Sequence, residues 1–412
     1  MEQPRSEWAV GRWLVLVSMF GAGTAVWYQG VTGVVMKPLA AEFGWTRSEV
    51  TSSHFIVGIV SVLLAWAMGS VIDRIGSRKV VLVGVVLNAI GFAIIGLTGP
   101  GIVTWYAAWV IYGLCQLFIH PVVFVTPISK IFVRHRALAM AAVLSGAGLS
   151  LALVPYAATR LEADFGWRGV YFGLAAGFIF QVLPLLALWF REPVVDQKKR
   201  TDAPAEGMTL AEALRTTRLY RLALPALLVA ASNGLMVVHF VPMMTDRGLS
   251  AVNAAVAIGL FGPCNTVGRL AMGWLIDRLH APYVSAVAAL LPLFYVALYF
   301  SFNGTFGYAI VMGITLGLAS GAESDAVAYM VSRYFGIRRY GAIFGLVFGC
   351  HSAGFACGPL IGGLFFDHFG GYDQVILLIA GCLITASVLF ATLGRYAKFE
   401  THALPDSKAW KE

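Results

Sequence analysis

Twelve continuous apolar segments dominate the chain, and each has about the length needed to cross a bilayer. They cover approximately residues 13–36, 52–72, 80–98, 102–127, 138–156, 169–190, 222–244, 251–276, 284–300, 307–330, 342–365 and 375–393. Lipid offers the backbone no hydrogen-bond partner, so such a segment must be a helix or part of a closed barrel. Barrel strands alternate apolar and polar residues; these runs do not, and helices are expected. Composition points the same way. Only 12% of residues are charged and 59% are hydrophobic, against about a quarter charged in a soluble protein. This excludes an ordinary cytosolic enzyme and a disordered chain. The first segment has no small-residue cleavage site soon after it, so it reads as a span and not as a removed signal peptide.

Charge sets the orientation. With the N-terminus inside, 23 of the 29 Lys and Arg residues fall in the inner loops and tails. Only Lys37, Arg47, Arg160, Arg168 and Arg247 fall outside, and Arg269 lies within the eighth span. The positive-inside rule therefore places both termini in the cytoplasm. It also accounts for the net charge of +8 without nucleic-acid binding. Cys115, Cys264, Cys350, Cys357 and Cys382 all lie in apolar stretches and none has CxxC spacing, so neither a disulfide framework nor a zinc site is suggested.

The two halves of the chain echo each other. Gly69-x-x-Ile72-Asp73-Arg74 recurs as Gly273-x-x-Ile276-Asp277-Arg278, an offset of 204. Phe132 and Arg136 recur as Phe335 and Arg339, and Phe165-Gly166 as Phe369-Gly370, at offsets of 203 and 204. Paired six-span halves are the mark of a carrier built around a central cavity. The expected organisation is a half over 1–190, a cytoplasmic linker over 191–219 and a half over 220–412. The linker holds Gln197-Lys198-Lys199-Arg200 and a helical-looking stretch over 209–218.

These features resemble the major facilitator superfamily. The loop after the second span, Gly69-x3-Asp73-Arg74-x-Gly76-x-Arg78-Lys79, is close to that superfamily's signature. More narrowly, the chain resembles the branch of monocarboxylate transporters and oxalate–formate antiporters. That likeness rests on Glu42-Phe43-Gly44-Trp45-Thr46-Arg47-Ser48-Glu49, Gly268-Arg269-x3-Gly273, Gly321-Ala322-Glu323, Ser332-Arg333-Tyr334-Phe335-Gly336 and Gly354-x3-Gly358-Pro359-x2-Gly362-Gly363. It implies an all-α membrane protein with the major facilitator fold, twelve transmembrane helices in two pseudo-symmetric six-helix halves. It implies a secondary transporter working by alternating access. In the superfamily the signature loop latches the two halves on the cytoplasmic side. The resemblance thus assigns conformational gating to Asp73, Arg74, Arg78 and Lys79, and the repeat extends this to Asp277 and Arg278.

A charge at the bilayer centre costs about 2.5–3.5 kcal/mol on insertion scales, so an intramembrane ionisable residue is a functional candidate. Arg269 precedes Asp277 by eight residues, which puts it about 12 Å inside the span, near the midplane. Its planar guanidinium matches a carboxylate, and in the resembled branch an arginine at this position contacts the substrate carboxylate. The alternative is a permanent structural pair with Glu323. His351 aligns with a lysine of the oxalate–formate antiporters and is either a substrate contact or a packing histidine. Glu323 is expected to balance Arg269 when the site is empty, or to hold helices together. Trp27, Tyr28 and Gln29 either line the cavity or form an interfacial belt. His120, beside Pro121, faces the cavity or marks a kink; His54 and His239 lie nearer the outer ends. Asn265 stands where proton-coupled relatives carry aspartate, and Gly30 where they carry lysine.

The expected cargo is a small organic anion, a monocarboxylate or an aromatic or dicarboxylic acid. Exchange, facilitated movement, and coupling to a proton or counter-anion all stay open. The rivals are a multidrug-type efflux carrier and a non-transporting sensor on the same fold. No GxxxxGK[ST], HExxH or GxSxG pattern occurs, so no enzyme, cofactor or metal is expected. The expected partners are the carboxylate and the bilayer of the cell membrane (the inner membrane in a Gram-negative source), with the chain a monomer.

Overall fold

The computed structural model describes residues 7–132, 136–191, 207–276, 278–336 and 339–396. Among the described residues the helices group into the twelve spans of the expected fold. In the first half they are α1 (Glu7–Thr24 continued by Trp27–Phe43), α2 (Arg47–Ile75), α3 (Ser77–Gly96), α4 (Ile102–Gln116 and Pro121–Ile131), α5 (Arg136–Leu144, then 146–165) and α6 (167–177, Phe178–Val182 and Leu183–Trp189). In the second they are α7 (Thr217–Asp246), α8 (Ala251–Gly259 and Phe261–Ile276), α9 (Ala281–Leu290 and Pro292–Phe300), α10 (Phe306–Phe335), α11 (Tyr340–Phe369) and α12 (Asp373–Ala391). α5 and α6 form one helical stretch bent at Gly166, whose φ of 68° suits a residue without a Cβ. We use outer for the end bearing Arg47 and inner for the end bearing Arg74, following the charge bias.

Several helices run past their apolar segments. α1 continues to Phe43, and Thr46 caps α2 reciprocally with Glu49, which satisfies the first backbone donors of a helix that begins in a polar stretch. α4 breaks at Leu117–Ile119, just ahead of Pro121, where the missing N–H stops the ladder. The helical stretch expected over 209–218 is split: Thr209 caps a single turn, Leu210–Leu214, and α7 already starts at Thr217. The basic run 197–200 lies outside the described residues.

Each half packs its own core. Phe92, Trp105, Trp109, Tyr112, Tyr171 and Phe178 fill the first, and Phe240, Tyr295, Met312 and Tyr334 belong to the second. Three seams join the halves. α1 meets α7 where Gly33 abuts the Val238 carbonyl, α2 meets α11 where Gly58 abuts Ala356, and α5 meets α8 where Gly148 and Gly262 face each other. A Cβ at either of the last two would overlap the other's carbonyl, so backbone contact there requires glycine. All three seams lie between mid-membrane and the outer end.

Candidate functional site

The α8 seam aims Arg269. Gly262 and Thr266 both border Gly148 of the first half. Arg269 follows Gly262 by seven residues, almost two turns, so it lies on that same face about 10 Å further inward. It is half-buried. Arg269 is thus placed on the side of α8 that meets the first half, just inside the point where the halves touch. Asn265 is half-buried on the adjoining part of the helix, with its carbonyl against Gly321 of α10.

Glu323 does not take up the expected place beside Arg269 in the described contacts. Its Oε2 accepts from Asn233 Nδ2 of α7 at 3.2 Å and lies 3.8 Å from His351 Nε2 of α11. The reason is rotational. Gly321 is the α10 residue that abuts Asn265 and the Arg269 backbone, and a step of two residues turns about 200° round a helix. His351 also lies flat on Phe348, with ring centroids 5.4 Å apart and an interplanar angle of 7°.

From the first half, Gln29 reaches the seam. It lines a narrow crevice with Gly30, Pro155, Val237 and Phe261, and its Nε2 donates to Tyr28 Oη at 3.3 Å. Tyr28 itself is buried among His54, Trp109 and Tyr112, at centroid distances of 5.1, 6.2 and 5.8 Å. His120 sits at the break in α4, half-buried ahead of Pro121.

At the inner end, Arg74 and Lys79 are exposed. Arg78 donates to the Ala187 carbonyl at 2.8 Å, and Arg278 covers Trp274 at 4.1 Å; both contacts stay within one half. The Asp73 side chain and Asp277 lie outside the described residues.

The halves are instead clasped at the outer end, by residues that the sequence reading did not place together. Asp246, closing α7, accepts from Lys37 Nζ and Arg47 Nη1 of the first half, each at 2.8 Å. Asp367 of α11 accepts the Arg47 and Ser48 backbone N–H groups at 2.9 Å, a favourable place for a carboxylate at the start of α2. Arg47 also covers Phe366 at 3.6 Å and donates to Tyr372 Oη at 2.6 Å. Tyr372 continues inward to His239 Nδ1, and His239 Nε2 to the Pro359 carbonyl, both at 2.8 Å. A carbonyl only accepts, so Nε2 carries the hydrogen and Tyr372 donates to Nδ1. Burial pushes the Tyr372 hydroxyl above its ordinary titration range, which keeps it a donor. The signal for this clasp was the rarity of outer cations. Four of the five, Lys37, Arg47, Arg168 and Arg247, are paired with Asp246, Asp246, Glu42 and Asp373.

The comparisons with known proteins agree with this architecture. The family model described as Major Facilitator Superfamily matches residues 15–323 and 267–411. The chain is 26% identical over 403 residues to the uncharacterized MFS-type transporter YcxA of Bacillus subtilis, covering 92% of this chain and 93% of that one. It is 27% identical over 397 residues to monocarboxylate transporter 11 of Homo sapiens, covering 93% and 83%. Among solved structures, the nucleoside transporter NupG superposes with a TM-score of 0.75 at 12% identity, covering 94% of this chain and 100% of that one. A bacterial homologue of the human lysosomal transporter Spinster gives 0.71 at 16%, covering 95% of both. With the family match running nearly end to end over twelve helices in two cores, the chain belongs to the Major Facilitator Superfamily and is a multi-pass secondary transporter, not an enzyme.

Proposed function

We propose that this transporter moves a small organic anion, a monocarboxylate or an aromatic or dicarboxylic acid, by alternating access, with Arg269 as the carboxylate clamp. The observation that carries the reading is the stripe Gly262–Thr266–Arg269. It places a permanent cation on the helix face that meets the opposite half, at the inner edge of the closed seam. A guanidinium keeps its charge in that setting and offers paired donors in a plane. Gln29 supplies a polar contact from the other half, and His351 with Asn265 completes the second-half side. The similarity to monocarboxylate transporter 11 supports the same cargo class. With the clasp closed outside and both termini in the cytoplasm, the cavity of this conformation opens inward. We read the chain as a monomer of the cell membrane.

The test is thermal stabilisation of the purified protein by a panel of carboxylates, followed by uptake of the best one into proteoliposomes. Hydrogen bonds to a charged group contribute about 1.5–3 kcal/mol. Arg269→Ala should therefore weaken binding by roughly 10- to 150-fold, and Arg269→Lys should recover only part of it, lacking the fork. Saturable uptake of normal affinity in the alanine variant would overturn the clamp.

A further inference from the structure

The second half holds a buried carboxyl that the clamp does not use. Glu323 keeps only 6% of its side chain exposed. Its Oε2 accepts from Asn233 Nδ2, but among the described residues Oε1 has no hydrogen-bond partner, and neither has Asn233 Oδ1. Two buried acceptors of touching side chains are therefore both left without a donor. An unpartnered buried acceptor is destabilising, and a neutral carboxylic acid carries the one donor that the pair lacks. With a hydrogen on Oε1, the acid and the amide can close a cyclic pair, N–H to Oε2 and O–H to Oδ1.

The surroundings favour the neutral acid over a fixed ion pair. From α7 and α9 the facing polar groups are Asn233 and Ser285, neither charged. From α8 comes Arg269, whose backbone abuts Gly321 while Glu323 is turned away from that contact. From α11 comes His351, at 3.8 Å. The side chain of Asp325 on α10 itself lies outside the described residues. His351 keeps 21% of its side chain exposed, so the imidazole stands between water and the buried carboxyl.

We propose that Glu323 is a proton-binding site, paired with Asn233 and loaded through His351. His351 takes a proton from water on one ring nitrogen and passes one from Nε2 to Glu323 Oε2, the oxygen it faces; a half-turn of the carboxyl about Cγ–Cδ then brings that O–H to Asn233 Oδ1 and the other oxygen to Nδ2. The imidazole returns to neutral, the carboxylate becomes a neutral acid, and no other bond changes. The site stands on these contacts alone; its use in coupling proton movement to cargo rests on the carrier reading above.

The test is infrared spectroscopy of the purified full-length protein in lipid, titrated with pH and exchanged into heavy water. Wild type should show the C=O stretch of a protonated carboxylic acid at neutral pH. Glu323→Gln should lose that band yet fold with undiminished thermal stability, because glutamine supplies both the donor and the acceptor of the protonated acid. Asn233→Leu should shift the band, and His351→Phe should keep it but slow its appearance after a pH jump. Absence of the band in wild type, its persistence in Glu323→Gln, or failure of Glu323→Gln to fold would each overturn the site. Lactate is then the transport probe: Glu323→Gln should retain exchange of labelled lactate but lose lactate-driven alkalinisation outside the vesicles. If wild-type vesicles show no lactate flux, the choice of cargo fails while the infrared result still decides the proton site; if the variant alkalinises normally, coupling at Glu323 is refuted.

Discussion

Replacing Asp246 by asparagine should loosen the outer end of the carrier. Asp246 holds Lys37 and Arg47 across the seam, each at 2.8 Å. The two contacts differ in weight. Lys37 is 41% exposed, which places its pair at the low end of exposed ion pairs, about 0.2 kcal/mol. Arg47 is only 12% exposed and bonds Tyr372 as well, which places its pair near the upper end, about 1 kcal/mol. Neutralising Asp246 should therefore raise the ratio of outer-open to outer-closed molecules roughly eightfold. Spin labels on Ala163→Cys, exposed near the outer end of α5, and Asn303→Cys, exposed on the outer loop after α9, would report it by pulsed distance measurement in lipid. The longer-distance population should grow by that factor in Asp246→Asn and by less than about twofold in Lys37→Met. An unchanged distance distribution in Asp246→Asn would refute the assignment of the clasp.

Other outcomes follow from the same geometry. Gly262→Val should disfavour the outer-closed state and slow turnover, because its Cβ overlaps the Gly148 carbonyl, whereas Gly273→Ala, with open space around it, should leave both unchanged; the same spin-label distances and a flux assay check this. Tyr28→Phe should alter substrate affinity by less than about twofold, since its lost hydroxyl contact is one long hydrogen bond of about 0.5 kcal/mol or less. Tyr28→Ala should instead lower the unfolding temperature by removing about 3–5 kcal/mol of aromatic packing. Asp73→Asn should reduce the turnover rate and leave the order of preferred substrates intact, as measured by competition in flux assays.

The twelve spans were legible because lipid imposes one simple demand, an apolar helix of fixed length. Their ends were less so. The outer extensions to Phe43 and 165 end at the left-handed Gly44 and at the turn at Gly166, neither of which shows in hydropathy. Arg269 could be singled out because an intramembrane arginine is conspicuous. Where Glu323 and Tyr28 point could not be read. Both depend on helix rotation, and a neighbour such as Gly321 fixes that rotation through contacts with another helix. The clasp was hidden for a different reason. Arg47 meets Asp246, Asp367 and Tyr372 across some two hundred or more positions of chain, a separation that no local pattern spans.

The clasp also bears on how such carriers can diverge. Its members sit at helix ends and short turns of α1, α2, α7 and α11, whereas Arg269 sits deep on α8. A substitution at Arg269 leaves every outer ion pair in place, and a change in the ion pairs leaves Arg269 in place. On the proposed clamp, cargo preference and opening rate are therefore separately heritable traits. With Arg269 as the proposed clamp, a lineage can exchange one cargo for another without re-evolving its timing, and can adapt its timing to a new salinity or temperature without losing the cargo.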